Sequence, residues 1–152
     1  MAMEKTLILC KADAVARGLT GEVIARFERR GYALAAMKLL VCDEARAKQH
    51  YAEHEGKPFF AGLVAYITSA PIVALVIEGS DAIEGCRATI GATNPIKAGP
   101  GTIRGDYAQT IGRNLVHGSD SAESAKREIA IWFEPSELHA AANDLERWLV
   151  AN

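Results

Sequence analysis

Residues 72–79 read IVALVIEG, six apolar positions in a row and rich in β-branched side chains. A strand with one face in water alternates polar and apolar residues. An unbroken apolar run marks a central strand of a sheet instead. The rest of the 152 residues must supply that strand's neighbours and cover. This length suits one domain with a sizeable core, residues 1–152, and is short for two.

The flanking segments fill in the pattern. EKTLILC, residues 4–10, reads as a first strand. LTGEVIARFERRG follows as a helix. Thr20 can cap it, Val23, Ile24 and Phe27 share one face, and Gly31 stands where a helix ends. YALAAMKLLV partly alternates and reads as a second strand. CDEARAKQHYAEHEG is a polar helix capped by Asp43 and ending near Gly56. Pro58 opens another helix, PFFAGLVAYITSA, which Pro71 stops. Past the central strand, SDAIEGCRATIG is a short helix capped by Ser80. ATNPIKAGPGTIRGDY then holds two prolines and three glycines, which predicts a long loop without regular structure. Such loops are often functional. Asp120, with Glu123 three residues on, has the form of a capping box. Its helix is predicted to run into IAIWF as the last strand. PSELHAAANDLERWLVAN closes with helical and irregular turns. The order gives an α+β fold with a ferredoxin-like β-α-β-β-α-β core. It is a four-stranded antiparallel sheet with helices on one side, plus extra helices and a long loop.

Composition removes several functions. The formal net charge is −2, which argues against nucleic-acid binding by bulk charge and leaves it at most secondary. MAMEKTLILC lacks the architecture of a signal peptide, and its apolar run is too short to span a membrane. The three cysteines, Cys10, Cys42 and Cys86, form no C-x-x-C and read as buried, reduced thiols of a cytoplasmic protein.

Chemistry concentrates in RNLVHGSDS, residues 113–121. A lone histidine beside an apolar run is more often structural than catalytic. His117, however, lies just ahead of a helix start, where free N–H groups favour negative charge. Gly118 permits a sharp turn or a close ligand, and Ser119 can bond a neighbour or a phosphate oxygen. A neutral imidazole is nucleophilic near pH 7. A Ser-His-Asp triad is disfavoured, because Ser119, Asp120 and Ser121 are sequence neighbours of His117 and no G-x-S-x-G occurs. A metal site is equally weak. His50 and His54 are four apart on a predicted helix, but no H-E-x-x-H accompanies them, and they read as a solvated face. No Walker A sequence or G-x-G-x-x-G after a strand is present, so a nucleotide site must use side chains such as Lys11, Arg87 and Arg104. Singly each is a surface charge. Beside a nucleophilic histidine they suit phosphoryl transfer. Phe59 and Phe60 read equally as core residues or as a platform for a base.

NLVHGSDS, together with GATNP, PGTIRGD and HYAEHEGKPFF, closely resembles the nucleoside diphosphate kinase family, from about Lys5 to the IWFEPSEL segment. The resemblance implies transfer of the γ-phosphoryl group of a nucleoside triphosphate, mainly ATP, to a nucleoside diphosphate. The scheme is ping-pong through phosphorylated His117, with broad base specificity. It implies that His117 is phosphorylated on its δ nitrogen, with Glu128 and Ser119 orienting it. Lys11 and Asn114 would hold the ribose hydroxyls, Lys11 also reaching the transferred phosphate, and Tyr51 would buttress Lys11. Arg87, Thr93 and Arg104 would bind phosphates, with His54 near them. Phe59 and Ile111 would sandwich the base. Mg2+ would be held by the nucleotide phosphates, with no protein metal site.

The chain departs from the family in reading Lys11-Ala12-Asp13-Ala14 where a proline usually follows the lysine. That change frees φ but removes no catalytic group. Self-association is implied too, as a homohexamer rather than a tetramer, from the NPIKAGPG loop and the extended C-terminus. The competing readings are an inactive nucleotide-binding descendant and a protein-histidine phosphodonor, which shares the same intermediate.

Overall fold

The computed structural model describes residues 3–140 and 146–151. Among them, strands β1 (Met3–Cys10), β2 (Ala33–Leu40), β3 (Ile72–Ser80) and β4 (Val116–Gly118) form one sheet in the order β2-β3-β1-β4. Every pairing is antiparallel. The apolar run of residues 72–79 lies in β3, paired on both edges, as its composition requires. The helices are α1 (Ala12–Ala16), α2 (Thr20–Arg29), α3 (Glu44–His50), α4 (Phe60–Ile67), α5 (Ala82–Ile90), α6 (Ile103–Tyr107), α7 (Ala122–Trp132) and α8 (Glu146–Leu149).

The sheet's two faces gather separate cores. Ile8, Cys10, Val73, Leu75 and Ile77 point to one face, where Val23 and Phe27 of α2 and Cys86 and Ile90 of α5 cover them. Leu7, Leu9, Ala74 and Val76 point to the other, under Ala47 of α3, Val64 and Ile67 of α4, and Trp132 of α7. The two helices of the β-α-β-β-α-β core thus share one side, joined there by Ile103 of α6, and α3, α4 and α7 close the opposite one. Each fully buried side chain of leucine or phenylalanine size contributes about 1.5–3 kcal/mol. The central strand spends apolar side chains on both faces, so it cannot alternate.

Several expectations need correction. IAIWF is not a strand. Residues 129–132 continue α7, with Trp132 fully buried, and Phe133 leaves the helix at φ −134°. A short apolar run reads alike as strand or buried helix. The edge position belongs to β4, whose three residues are too few to show a period. Asp43 caps α3 as expected, accepting from the Arg46 amide at 2.7 Å. Ser121, not Asp120, caps α7, accepting from the Ser124 amide at 3.1 Å. Thr20 is the first residue of α2, with Leu19 at its cap, and Asp81 rather than Ser80 precedes α5. The predicted loop contains a 3-10 turn at Pro95–Lys97 and the short helix α6. Thr102 caps α6 through the Gly105 amide, which substitutes a local side-chain bond for helical propensity. Residues 141–145 and 152, part of the predicted closing turns, lie outside the described residues.

Candidate active site

β4 pairs Leu9 opposite His117, so the imidazole shares the Leu7–Leu9 face with α3 and α7. Val116 and Gly118 turn to the other face. Gly118 is there for packing rather than for a turn. A Cβ on it would lie 2.8 Å from Ile90 Cδ1, so glycine lets α5 settle on β4.

Glu128, one turn before the end of α7, meets His117 at 2.7 Å between Oε1 and Nε2. The Ser119 hydroxyl donates to the same oxygen at 2.9 Å and accepts from the Leu7 amide at 3.2 Å. Ser119 is wholly buried and Glu128 only 4% exposed. A carboxylate only accepts, so His117 carries its proton on Nε2 and leaves the Nδ1 lone pair free. Ser119 therefore serves the carboxylate from behind.

His50 corrects the reading of a solvated helix face. It is 3% exposed, with its ring edge-on to that of His117 at 4.7 Å between centroids. The Trp132 indole donates to its Nδ1 at 3.1 Å. Indole N–H donates only, so His50 bears its own hydrogen on Nε2. Burial, with His117 nearby, holds it well below the usual histidine pKa and so neutral. His50, His117 and Glu128 crowd together as metal ligands would, but the Trp132 indole occupies His50 Nδ1 and the Glu128 carboxylate is engaged by His117 and Ser119. His54 remains half-exposed, in the 3-10 turn Ala52–His54 that follows α3.

A cleft of about 310 Å³ opens beside these rings. Lys11, Tyr51, His54, Arg87, Thr93, Arg104, Ile111, Asn114, His117 and Glu128 line it. The Lys11 ammonium donates to Asn114 Oδ1, and Asn114 Nδ2 donates to the Thr93 carbonyl at 3.0 Å. Burial, with Arg104 close by, pushes the Lys11 pKa down to about 8. Among the described residues no hydrogen bond joins Lys11 to Tyr51. The Tyr51 phenol, raised to about 12 mainly by burial, stays protonated. Arg104 is 8% exposed and donates to the carbonyls of Gly91, Asn114 and Val116. Arg87 is exposed and donates to the Gly118 carbonyl at 3.0 Å. Phe59 is not among the lining residues; it stands just outside, 51% exposed, with its ring 5.3 Å from that of His54, which does line the cleft. Ile111 on the wall is 56% exposed.

The arrangement is a histidine with a fixed tautomer and a free Nδ1 lone pair, beside three cations, in a cleft with exposed apolar groups alongside. It suits an anionic, elongated substrate with a flat apolar end. The comparisons with known proteins agree. Residues 4–138 match the family model described as nucleoside diphosphate kinase. Nucleoside diphosphate kinases of Gloeobacter violaceus and Chloroflexus aurantiacus are 55% and 56% identical to the chain, covering 97% of it and 99% of each relative. The structure of a halophilic nucleoside diphosphate kinase from Halobacterium salinarum in complex with CDP aligns with a TM-score of 0.94 at 45% identity, over 99% of this chain and 100% of that one. That of a family protein from Babesia bovis aligns at 0.94 and 41% identity, over 97% and 99%. The chain belongs to the nucleoside diphosphate kinase family, enzymes that move a phosphoryl group between nucleotides.

Proposed function

We propose that Nδ1 of His117 carries the phosphoryl group between nucleotides in this enzyme. The observation behind this reading is the 2.7 Å contact of Nε2 with Glu128, which leaves Nδ1 as the nucleophilic nitrogen. The Nδ1 lone pair attacks the γ-phosphorus of a nucleoside triphosphate, the bond to the bridging oxygen breaks, and the diphosphate leaves. Glu128 supports the positive charge that develops on the ring. A second diphosphate then takes the group back by the reverse step, a ping-pong scheme.

Lys11 and Arg87 face the phosphates, with Arg104 offering the N–H groups its three carbonyl bonds leave over. Thr93 and Tyr51 offer hydroxyls, His54 a ring nitrogen, and Asn114 with Lys11 the polar grip on the ribose. Phe59 and Ile111 flank the base. Stacking and apolar contact tolerate every base, so specificity is broad and ATP serves as donor.

The family generally uses a divalent metal, read here as Mg2+. Magnesium prefers phosphate oxygens and one or two carboxylates to a protein cage. The cleft fits that habit. Its carboxylates are Glu53, Asp120 and Glu128, and the last is engaged by His117 and Ser119. Asp120 and Glu53 are the oxygen donors open to a phosphate-bound ion. Such an ion neutralises phosphate charge.

The same proposal covers assembly and setting. The enzyme is one domain, residues 1–152, and works in the cytoplasm. No helix among the described residues is long and apolar enough to cross a membrane. It self-associates as a hexamer. Met37, Leu39 and Val41 are exposed along and just beyond edge strand β2, and Ile96 is 81% exposed on the loop, apolar surface that copies of the chain would cover. A tetramer mass by light scattering would overturn the hexamer.

The test of the reaction is intact mass after mixing with magnesium and ATP at neutral to mildly basic pH. An acid-labile phosphoryl adduct that GDP removes, with GTP formed, is expected. Retained ATP binding without an adduct would favour an inactive descendant.

A further inference from the structure

His117 is reached through a backbone turn that few side-chain-bearing residues adopt. Leu115, two residues before it, has φ +74°. The Val116 amide closes back on the Asn114 carbonyl at 2.8 Å. A three-residue turn with positive φ at its centre is strained and persists only where surrounding structure enforces it. Leu115 is wholly buried, so water does not serve its backbone groups.

Both of those groups go to one short segment. The Lys11 amide donates to the Leu115 carbonyl at 2.8 Å. The Leu115 amide donates to Asp13 Oδ2 at 3.0 Å. Asp13 is itself only 9% exposed, and its own amide donates to the Tyr66 hydroxyl at 3.0 Å. The Arg113 guanidinium lies 4.0 Å from the centre of the Tyr66 ring, which returns the chain of contacts to the turn.

We propose that Asp13 is a positioning residue for phosphoryl transfer: its carboxylate holds the Leu115 amide, and with it the strained turn from which His117 projects. The inference rests on His117 as the phosphoryl carrier. Asp13 is not among the residues that line the cleft, and it acts through backbone. Its spacing from Lys11 gives the arrangement its use. One turn of chain sends the Lys11 ammonium to Asn114 and the Asp13 carboxylate to Leu115. The phosphate-facing cation and the nucleophile thereby share one frame. The departure at Ala12 sits between these two anchors, which explains how the segment keeps its place without the family's proline.

The alternative is that Asp13 matters only as a negative charge near Lys11 and Arg104. Asp13→Asn separates the two, because an amide oxygen still accepts from Leu115 while the charge is gone. The experiment is rapid-quench measurement of phosphoryl uptake from saturating MgATP by wild type, D13N and D13A, with ATP affinity measured alongside. D13A is expected to phosphorylate about tenfold to a hundredfold more slowly, the scale of a misplaced reacting group. Its ATP dissociation constant should stay within roughly threefold of wild type, and D13N should stay within roughly threefold in rate, small changes on the tenfold scale of a lost interaction. A D13N as slow as D13A would overturn the proposal, as would a D13A that matches wild type. Hydrogen exchange at the Leu115 amide gives a readout that does not need the D13A variant to fold. Protection in wild type and D13N is expected, and an unprotected amide in wild type would overturn the proposal. A wild type that takes up no phosphoryl group on His117 would overturn both this inference and the reading beneath it.

Discussion

The floor of the cleft and its mouth are built on opposite principles. On the floor, Glu128 is bonded by His117 and Ser119, and Ser119 by the Leu7 amide, all at 3.2 Å or less. Arg104 is fixed to three backbone carbonyls. At the exposed side, the mouth, Phe59 and Ile111 are more than half exposed. Rigid polar geometry is costly to assemble, because each buried group must find its partner. In the proposed roles the rigid geometry falls where every nucleotide is alike, at the phosphoryl group, and the loose apolar surface falls where nucleotides differ, at the base. Broad base specificity is what that contrast predicts.

The contrast can be broken hardest at the floor. His117→Gln is expected to abolish phosphoryl uptake in the intact-mass assay while ATP still binds. Glu128→Ala leaves the Nε2 proton of His117 and the Ser119 hydroxyl without their acceptor. A loss of about a hundredfold in turnover is expected, with little change in nucleotide affinity. Titration sharpens the comparison next. The Lys11 pKa lies near 8 in the free enzyme, below the ordinary lysine value. The ammonium is charged below that pH and neutral above it. Nucleotide affinity should therefore weaken by up to about tenfold per pH unit above 8. Calorimetry in buffers of different ionisation enthalpy should show proton uptake on binding there.

At the mouth the effects should be small. Phe59→Ala is expected to raise KM roughly fivefold, about 1 kcal/mol, the low end for base stacking, and to leave kcat alone. A large fall in kcat would deny the separation of mouth from floor. Smallest of all is Ala12→Pro. Ala12 is the first residue of α1, and Lys11 before it is extended at ψ 173°. Proline there forfeits no helical bond. The expected gain is about 0.4–1 kcal/mol of stability by thermal melting, with turnover unchanged.

Sequence made the long elements legible. β1, β2, β3, α2 and α5 each carry a period or composition that names them, and together they settle three of the four strands and the two helices on one face. β4 escaped because three residues carry no period, although the motif around His117 drew notice to the same place. The site was legible where a motif stood and opaque where a contact was distant. His50 read as a surface residue because its partner Trp132 lies 82 positions along the chain. A local signal existed: Ala47, His50 and Tyr51 are spaced to share one helical face, and the apolar pair marks that face as inward. Asp13 and Leu115 gave no signal, since a strained turn and a carboxylate 102 residues away become partners only in the fold.

His117 rides on a strand whose register against β1 is three pairs long, with Leu9 opposite it. Neighbours on a strand face opposite ways, so a slip of one residue would turn the imidazole away from Glu128 and toward Ile90 on the far side. Alignment of that edge is thus a two-valued property. A refolded population should divide into fully competent and wholly silent molecules, with active-site titration counting the former and their individual turnover unchanged.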